Sequence, residues 1–386
     1  MLFRLLLREV KRVAADHSLI LTLLLAPLVY VFFYGSIYQY KAEEEVPIAV
    51  VDEDHTGLSQ TLITQIDNSQ MVNVALRTNL EAAKESMYHG HTQGFLYIEK
   101  GLEQKVLSLQ QANMVLAVNA ARFLPSSEVA GAITQIGLTV GAGVRLQYLQ
   151  KKGMNTEASM QEVMPVNIDY RPMFNSRSDY GTFLLPGLIA MILQQTLLIG
   201  LAGGSAAERQ RGTLSEWMQM AGGNASTALW GKGIFYFFLF CAYACFFLTV
   251  NFRVLELQIL GSGWELALIT VIFLLSLIPM GIFIGLLSRS QLLATQLMVF
   301  STYPIFLITG YSWPLSEMPP LVKAVSYMLP ITPFLGLYQG IVQQGAHITD
   351  RLQDLYHLSA LWFFYTAICL WKMRQLEKRN AIAHAV

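Results

Sequence analysis

Uncharged apolar runs, each close to the length of a bilayer crossing, limit this chain more than any other feature. Leu19–Ile37, Phe183–Ala202 and Ile234–Val250 hold no Asp, Glu, Lys, Arg or His. Crossing the hydrocarbon core takes roughly 20 such residues in a helix. In lipid every backbone N–H and C=O needs a partner inside the segment, which a helix supplies. Composition agrees: of 386 residues, 54% are hydrophobic and 13% charged, where a soluble chain carries about 25% charged. The expected class is a membrane α-helical protein. A formal net charge of zero gives no global field toward nucleic acid or acidic lipid. Cys241, Cys245 and Cys369 fall inside apolar runs and read as packing residues, neither a disulfide framework nor a metal site.

At the N-terminus, Leu2, Phe3, Leu6, Val10 and Val13 interleave with Arg4, Arg8, Lys11 and Arg12. This predicts a basic amphipathic helix over residues 1–16, at the cytoplasmic interface. Residues 17–40 form the first span, with Pro27 inside it and Tyr30, Phe32, Phe33, Tyr34, Tyr38 and Tyr40 toward its far end, where an aromatic belt is expected. The run is too long for a cleaved signal peptide, and no small-x-small site follows it.

Residues 41–180 change character, and the pattern predicts a small α/β domain inserted between the first and second spans. Strands are expected at Val46–Val51, Val72–Leu76 and Gly94–Ile98, with a fourth at Val106–Leu109 and a last at Val163–Tyr170. Helices are expected over Thr56–Ile66, from a capping box at Thr78 and Glu81 to about Gly90, and over 113–152 with a break at Pro125. His89 and His91 read as a helix end and turn, not as metal ligands.

Five more spans follow within 181–374, at about 182–203, 230–250, 264–287, 291–310 and 357–373, making about six transmembrane helices. The Pro-rich stretch 311–356 has apolar pieces too short to cross and is expected to be re-entrant. Residues 375–386 form a cytoplasmic tail. Lys and Arg gather at the N-terminus, at Arg209, Arg211 and Lys232, at Arg289, and at the C-terminus. The opposite loops carry Arg253, Lys323 and Arg351. The positive-inside rule then places both termini in the cytoplasm and residues 41–180 outside.

Between the second and third spans lies Glu208-Arg-Gln-Arg-Gly-Thr-Leu-Ser-Glu-Trp217. Leu214, Trp217 and Met218 have helical spacing, so residues 205–220 are expected to form a surface helix offering a face to a partner. The plain alternative is a solvated connection. No span carries an ionisable group at its middle, which speaks against proton relays and intramembrane proteolysis. Gly231-Lys232-Gly233 lacks the spacing and hydroxyl of a nucleotide-binding loop. Nucleotide energy must therefore come from another polypeptide. Asn224-Ala-Ser226 matches a glycosylation acceptor but lies on the side expected to be cytoplasmic.

These stretches resemble the permease subunits of ABC-2 type exporters, in particular the bacterial multidrug-efflux-like branch with a large periplasmic domain. Glu208-Arg-x-Arg-Gly-Thr-Leu-x-Glu216 resembles the family's coupling-helix motif, with Ser215 standing where many relatives place the acid. Ile48–Asp54 with Ser59, Tyr180–Gly187, and Tyr311-x-Trp-Pro314 through Pro320 resemble other family segments. The resemblance covers almost the whole chain. It implies a bacterial inner-membrane exporter subunit for hydrophobic or amphiphilic substrates, paired with a second permease copy or paralogue. It further implies separate ABC ATPase subunits that bind ATP and Mg, and a periplasmic membrane-fusion adaptor. It assigns contact with the ATPase to Glu208, Arg209, Arg211, Gly212, Thr213, Leu214, Glu216 and Trp217, with Leu214, Trp217 and Met218 filling a groove of the partner. No catalytic, cofactor or metal residue is expected in this chain. The rival reading is a non-transporting membrane receptor or scaffold whose external domain binds a ligand or partner.

Overall fold

Local signals start most elements of this fold, and packing settles where they end. The computed structural model describes residues 1–38, 43–108, 110–164, 171–175 and 179–383. It divides into two units, Met1–Lys41 with Pro172–Val386, and Ala42–Arg171.

The first unit begins with helix α1 (Leu2–Ala15). Helix α2 (His17–Ile37) follows, its start capped by Asp16, which accepts from Ser18 N and Leu19 N. The turn at Leu21–Leu25 is a π-turn. Pro27 lies just beyond it and has no N–H for the carbonyl four residues back, so the ladder there is disturbed. Tyr40 lies outside the described residues.

The second unit contains β1 (Val46–Asp52), α3 (Gly57–Asp67), β2 (Val72–Arg77), α4 (Leu80–Tyr88), β3 (Gly94–Ile98), α5 (Leu102–Leu107), β4 (Met114–Val118), α6 (Phe123–Lys151) and α7 (Thr156–Val163). The sheet order is β2-β1-β3-β4, with β1 parallel to both neighbours and β4 antiparallel to β3. β1 reads as a continuous apolar run because both of its faces are covered. Val46, Ile48 and Val50 pack with Leu62, Ile63 and Ile66 of α3 and Val129 and Ile133 of α6. Ala49 and Val51 pack on the other side with Ala83 of α4 and Phe95.

Several boundaries differ from expectation. The cap of α4 is Asn79, which accepts from Ala82 N, not Thr78. Val106 and Leu107 end α5, and Leu109 lies outside the described residues. The fourth strand is instead Met114–Val118, in a stretch expected to be helical, because the open edge of β3 offers it a partner. Pro125 does not break α6. It lies in the first turn, where its missing N–H has no intrahelical partner to lose. The strand expected at Val163–Tyr170 lies, from residue 165 on, outside the described residues, and Val163 itself ends α7.

Asp54 ties the loop after β1 to α5. Its carboxylate accepts from the backbone N–H groups of Gly101, Leu102 and Glu103 and from the Thr56 hydroxyl. Partial burial raises its pKa, but these hydrogen bonds outweigh burial and hold it below the ordinary carboxylate value. The stabilisation is therefore present above about pH 4 and is lost as pH falls through the depressed value. Asp54→Asn is expected to weaken the α5 region by about 1–2 kcal/mol, read as faster amide exchange over Leu102–Leu107 at neutral pH. Unchanged exchange there would show that the loop does not depend on the carboxylate.

The rest of the first unit is α8 (Tyr180–Gln210), α9 (Leu214–Met220), α10 (Ala225–Val254), α11 (Gly263–Leu287), α12 (Gln291–Ile308), α13 (Pro320–Tyr327), α14 (Ile331–Gln344) and α15 (Leu352–Ala383). α8 is the buried axis, packed by α2, α11, α12 and α14. Pro186 lies inside it and leaves the Thr182 carbonyl without its helical donor. The Gln343 side-chain amide of α14 donates to that carbonyl at 3.0 Å.

Among the described residues, six helices are long and apolar enough to cross a membrane: α2, α6, α8, α10, α11 and α12. The number matches the six expected spans, but the membership differs. α6 belongs to the α/β unit. The span expected at 357–373 lies in α15, which packs against α11 and whose apolar stretch is bounded by Asp354, His357, Lys372 and Arg374. Within 311–356, α13 and α14 are bent by 79° and qualify as a crossing only as a pair.

Candidate functional site

The motif at Glu208–Trp217 is not one surface helix over 205–220. Glu208, Arg209 and Gln210 are the last residues of α8. Gly212 then takes φ +72°, a left-handed conformation that glycine adopts without steric cost. Thr213 N donates to Glu208 O and Gly212 N to Arg209 O, the double bond of a Schellman stop. Leu214 opens the short helix α9.

The side chains sort into an inner and an outer set. Leu214, Trp217 and Met218 are buried within the chain itself. Trp217 is fully covered, and its indole N–H donates to Ala228 O of α10 at 3.2 Å. The expectation that these three fill a partner's groove is therefore corrected. Helical spacing places them on one face, and α10 with the protein's own core covers that face. The exposed set is Gln210, Arg211, Gly212, Glu216, Gln219 and Met220, with Thr213 partly covered.

Glu208 faces inward as well, at 1% exposure. Its two oxygens accept from Arg8 Nη1 and Nη2 at 2.8 and 2.7 Å, a bidentate pair of the strong kind. Arg12 Nη1 reaches the same carboxylate at 2.6 Å, and the Thr213 hydroxyl also donates to it. Lys232 Nζ lies 3.6 Å from Glu208 and 3.0 Å from Glu9. The Tyr236 hydroxyl donates to Glu9 at 2.9 Å. Lys232 also stands over the Trp217 ring, 5.0 Å from its centroid, a cation–π placement. Three cations and two carboxylates thus join α1, the end of α8 and the start of α10. Burial pushes the Glu9 pKa up, but Lys232 and Arg12 outweigh it and hold the carboxyl below its ordinary value.

Lys232, counted in sequence with Arg209 and Arg211 among the cations of the central stretch, lies in the second turn of α10, fully buried. Glu9 was not expected to have a role, yet its signal is local. It is the only acid among residues 1–15, and it falls midway between Leu5 and Val13 at spacings of four, inside the apolar stripe. α1 lies close on α10 because Gly231 has no side chain: a Cβ there would come within 2.4 Å of Leu5.

Arg209 and Gln210 extend the connection to two more helices. Arg209 Nη1 donates to the carbonyls of Leu286 and Leu287 at 2.9 Å, acceptors that the end of α11 leaves without helical donors. Gln210 Oε1 accepts from Gln291 N at the start of α12. Asp16, the cap of α2, accepts from the Gln291 side chain and lies 3.9 Å from Arg211. Asn224 caps α10 by accepting from Ser226 N and Thr227 N, which explains the Asn-Ala-Ser sequence by local structure. The turn between α8 and α9 thus fastens α1, α10, α11 and α12 together while showing solvent a short polar ridge. Chemically, its hydroxyl–carboxylate contact, Thr213 on Glu208, uses a carboxylate already ion-paired to Arg8 and Arg12, which makes it a poor general base.

A helical bundle in which several helices are long and apolar enough to cross a membrane defines a polytopic membrane protein. Residues 17–371 match the family described as ABC-2 family transporter protein, and the chain belongs to that family. It is similar to the inner membrane transport permease YhhJ of Escherichia coli K12, at 23% identity over 97% of each chain. It is also similar to the probable multidrug ABC transporter permease YbhS of the same organism, at 20% identity over 88% of this chain and 87% of that one. The linearmycin resistance permease protein LnrN of Bacillus subtilis 168 is 22% identical over 85% and 87%. The protein is accordingly a multi-pass permease subunit of the bacterial inner membrane. In this family the ATPase is a separate subunit, and dimers are frequent.

Proposed function

We propose that this chain is the membrane subunit of an ATP-driven exporter and that the turn between α8 and α9 receives the stroke of its ATPase partner. The observation that carries this reading is the two-sidedness of the turn. Its inner side is ion-paired and hydrogen-bonded to four other helices, and its outer side presents Arg211, Glu216 and Gln219. A push on the ridge reaches α1, α10, α11 and α12 through short polar contacts, without first deforming a soft apolar interface. In this reading both termini and the ridge face the cytoplasm, which the distribution of Lys and Arg favours. The α/β unit is then periplasmic, where an adaptor can reach it. The cargo is hydrophobic or amphiphilic, drug-like or lipid-like, in keeping with uncharged spans and with multidrug and linearmycin-resistance relatives. Two permeases, identical or paralogous, pair in the membrane.

The test exchanges the exposed charges and leaves the buried ones alone. Arg211→Glu with Glu216→Arg is expected to lower substrate-coupled ATP hydrolysis at least ten-fold in vesicles containing the cognate ATPase. Arg211 stands 3.9 Å from Asp16, so thermal stability of the purified permease should fall by up to about 1 kcal/mol, well short of the loss from removing a buried charge. Full coupling in this variant would move the docking site elsewhere.

A further inference from the structure

At the ends of α8 and α10 farthest from the fastening turn, the first unit holds a cavity of about 520 Å³. That volume falls within the roughly 300–1,000 Å³ of small-molecule sites. The lead-in and first turns of α8, the segment after α10 and the end of α14 build it. Asp179 and Glu256 contribute carboxylates, and Asn175, Gln258 and Gln343 contribute amides. No Lys, Arg or His is among the described residues that line it. Asp179 caps α8 at 5% exposure. The Thr182 N–H and hydroxyl each donate to one of its oxygens, at 2.6 and 3.0 Å. An ionised carboxylate has about four acceptor sites, so Asp179 keeps capacity for a donor in the cavity. Phe174, Pro186, Leu257, Leu260 and Val342 make the remaining wall apolar. Phe174 and Glu256 both hold left-handed backbone, at φ +69° and +51°. Residues with side chains adopt that conformation at a cost in free energy, and such positions collect at ligand clamps.

We propose that this cavity is a binding site for an amphiphilic organic cation, with its amine on Asp179 and Glu256 and its apolar body against Phe174, Pro186, Leu257 and Leu260. Only the ligand's being cargo rests on the exporter reading, which the site deepens by giving that cargo a sign of charge and a place within one chain. Gln343 gives occupancy a route into α8. It lines the cavity, and its side-chain amide donates to Thr182 O and Phe183 O at 3.0 and 3.2 Å. Thr182 O is the carbonyl that Pro186 leaves without its helical donor. A ligand that engages Gln343 therefore acts on the break in α8's own hydrogen-bond ladder.

The test reads binding without any ATPase, so its failure and the failure of the exporter reading are separate. 4-Phenylbutylamine, a cation at neutral pH, is titrated calorimetrically into the full-length permease in phosphatidylcholine nanodiscs, and empty nanodiscs supply the background. Its neutral counterpart 4-phenylbutan-1-ol is titrated in the same way. A hydrogen bond to a charged partner favours the cation by roughly ten-fold or more, so the amine is expected to bind saturably and about ten-fold tighter than the alcohol. Asp179→Asn with Glu256→Gln should equalise the two probes, and Asn caps α8 as Asp does. Leu260→Trp, at a position 51% exposed, should fill the cavity and weaken both probes several-fold. It leaves the carboxylates in place, so the location is tested even where the charge variant folds poorly. Equal affinity of the two probes for the parent overturns the charge selection. Absence of saturable binding by either overturns the site. A preference that survives the Asn and Gln changes overturns the roles of Asp179 and Glu256, and parental binding in Leu260→Trp overturns the location.

Discussion

Glu208→Ala is expected to destabilise the whole bundle, not merely to uncouple it. The carboxylate lies at 1% exposure between Arg8, Arg12 and Lys232. Removing it leaves three cations with Glu9 alone as counter-charge. Breaking a buried pair by deleting one partner costs about 3–5 kcal/mol. The purified permease should unfold at lower temperature or lower denaturant, and less of it should reach the membrane folded. Had Glu208 been an exposed docking residue, the variant would insert and unfold like the parent and lose only coupling. The two outcomes are separable in detergent, with no ATPase present. A double-mutant cycle with Arg8→Gln adds a second reading. Arg8 is 19% exposed, so its loss alone should cost less than that of Glu208, and the double variant should cost less than the sum. Additive losses would mean that the bidentate pair contributes nothing of its own.

Trp217→Ala is the second large effect. The indole is fully buried, packed beneath Lys232 and bonded to Ala228 O. Truncation leaves a cavity at the junction of α9 and α10, at about 3–5 kcal/mol for a buried aromatic. Trp217→Phe keeps most of the volume and loses the indole hydrogen bond, so about 1 kcal/mol is expected. A loss of that ratio, read as unfolding midpoints of the full chain, identifies Trp217 as an internal anchor. If both variants unfold like the parent while ATPase binding fails, the indole belongs to a partner contact instead. Introducing Asp at Leu214 or Trp217 would bury a new carboxylate in the same place, and so would report on folding before docking.

Much of the molecule was legible from local chemistry. Residues without charge over a bilayer's length have no alternative to a spanning helix, and α8, α10 and α11 follow from that alone. The strands β1 and β2 show in their valine- and isoleucine-containing runs, and β3 in its short aromatic and aliphatic run. β4 was missed because Met114–Val118 is short and apolar, a pattern that fits either a strand or a buried helical turn. The caps Asp16, Asn79 and Asn224 act within three residues of themselves, so sequence can find them, although Thr78 competed with Asn79 for the start of α4.

The site was legible in part. Sequence singled out the Glu208–Trp217 stretch, and the spacing of Leu214, Trp217 and Met218 placed all three on one face. It did not say what covers that face. Periodicity reports which residues share a side of a helix, whereas the covering surface comes from α10. The same limit applies to Glu208 and its partner Arg8, 200 residues apart. No local rule pairs residues at that distance. By itself the sequence determined the membrane class, the apolar helices and the amphipathic pattern of α1, because each depends on neighbours within a few turns. Only the tertiary structure decided that Glu208, Lys232 and Trp217 turn inward while Arg211 and Glu216 stay in solvent. That choice belongs to helix packing, where Gly231 lets α1 approach α10 and bring Arg8, Glu9 and Arg12 to charges that would otherwise have remained in water.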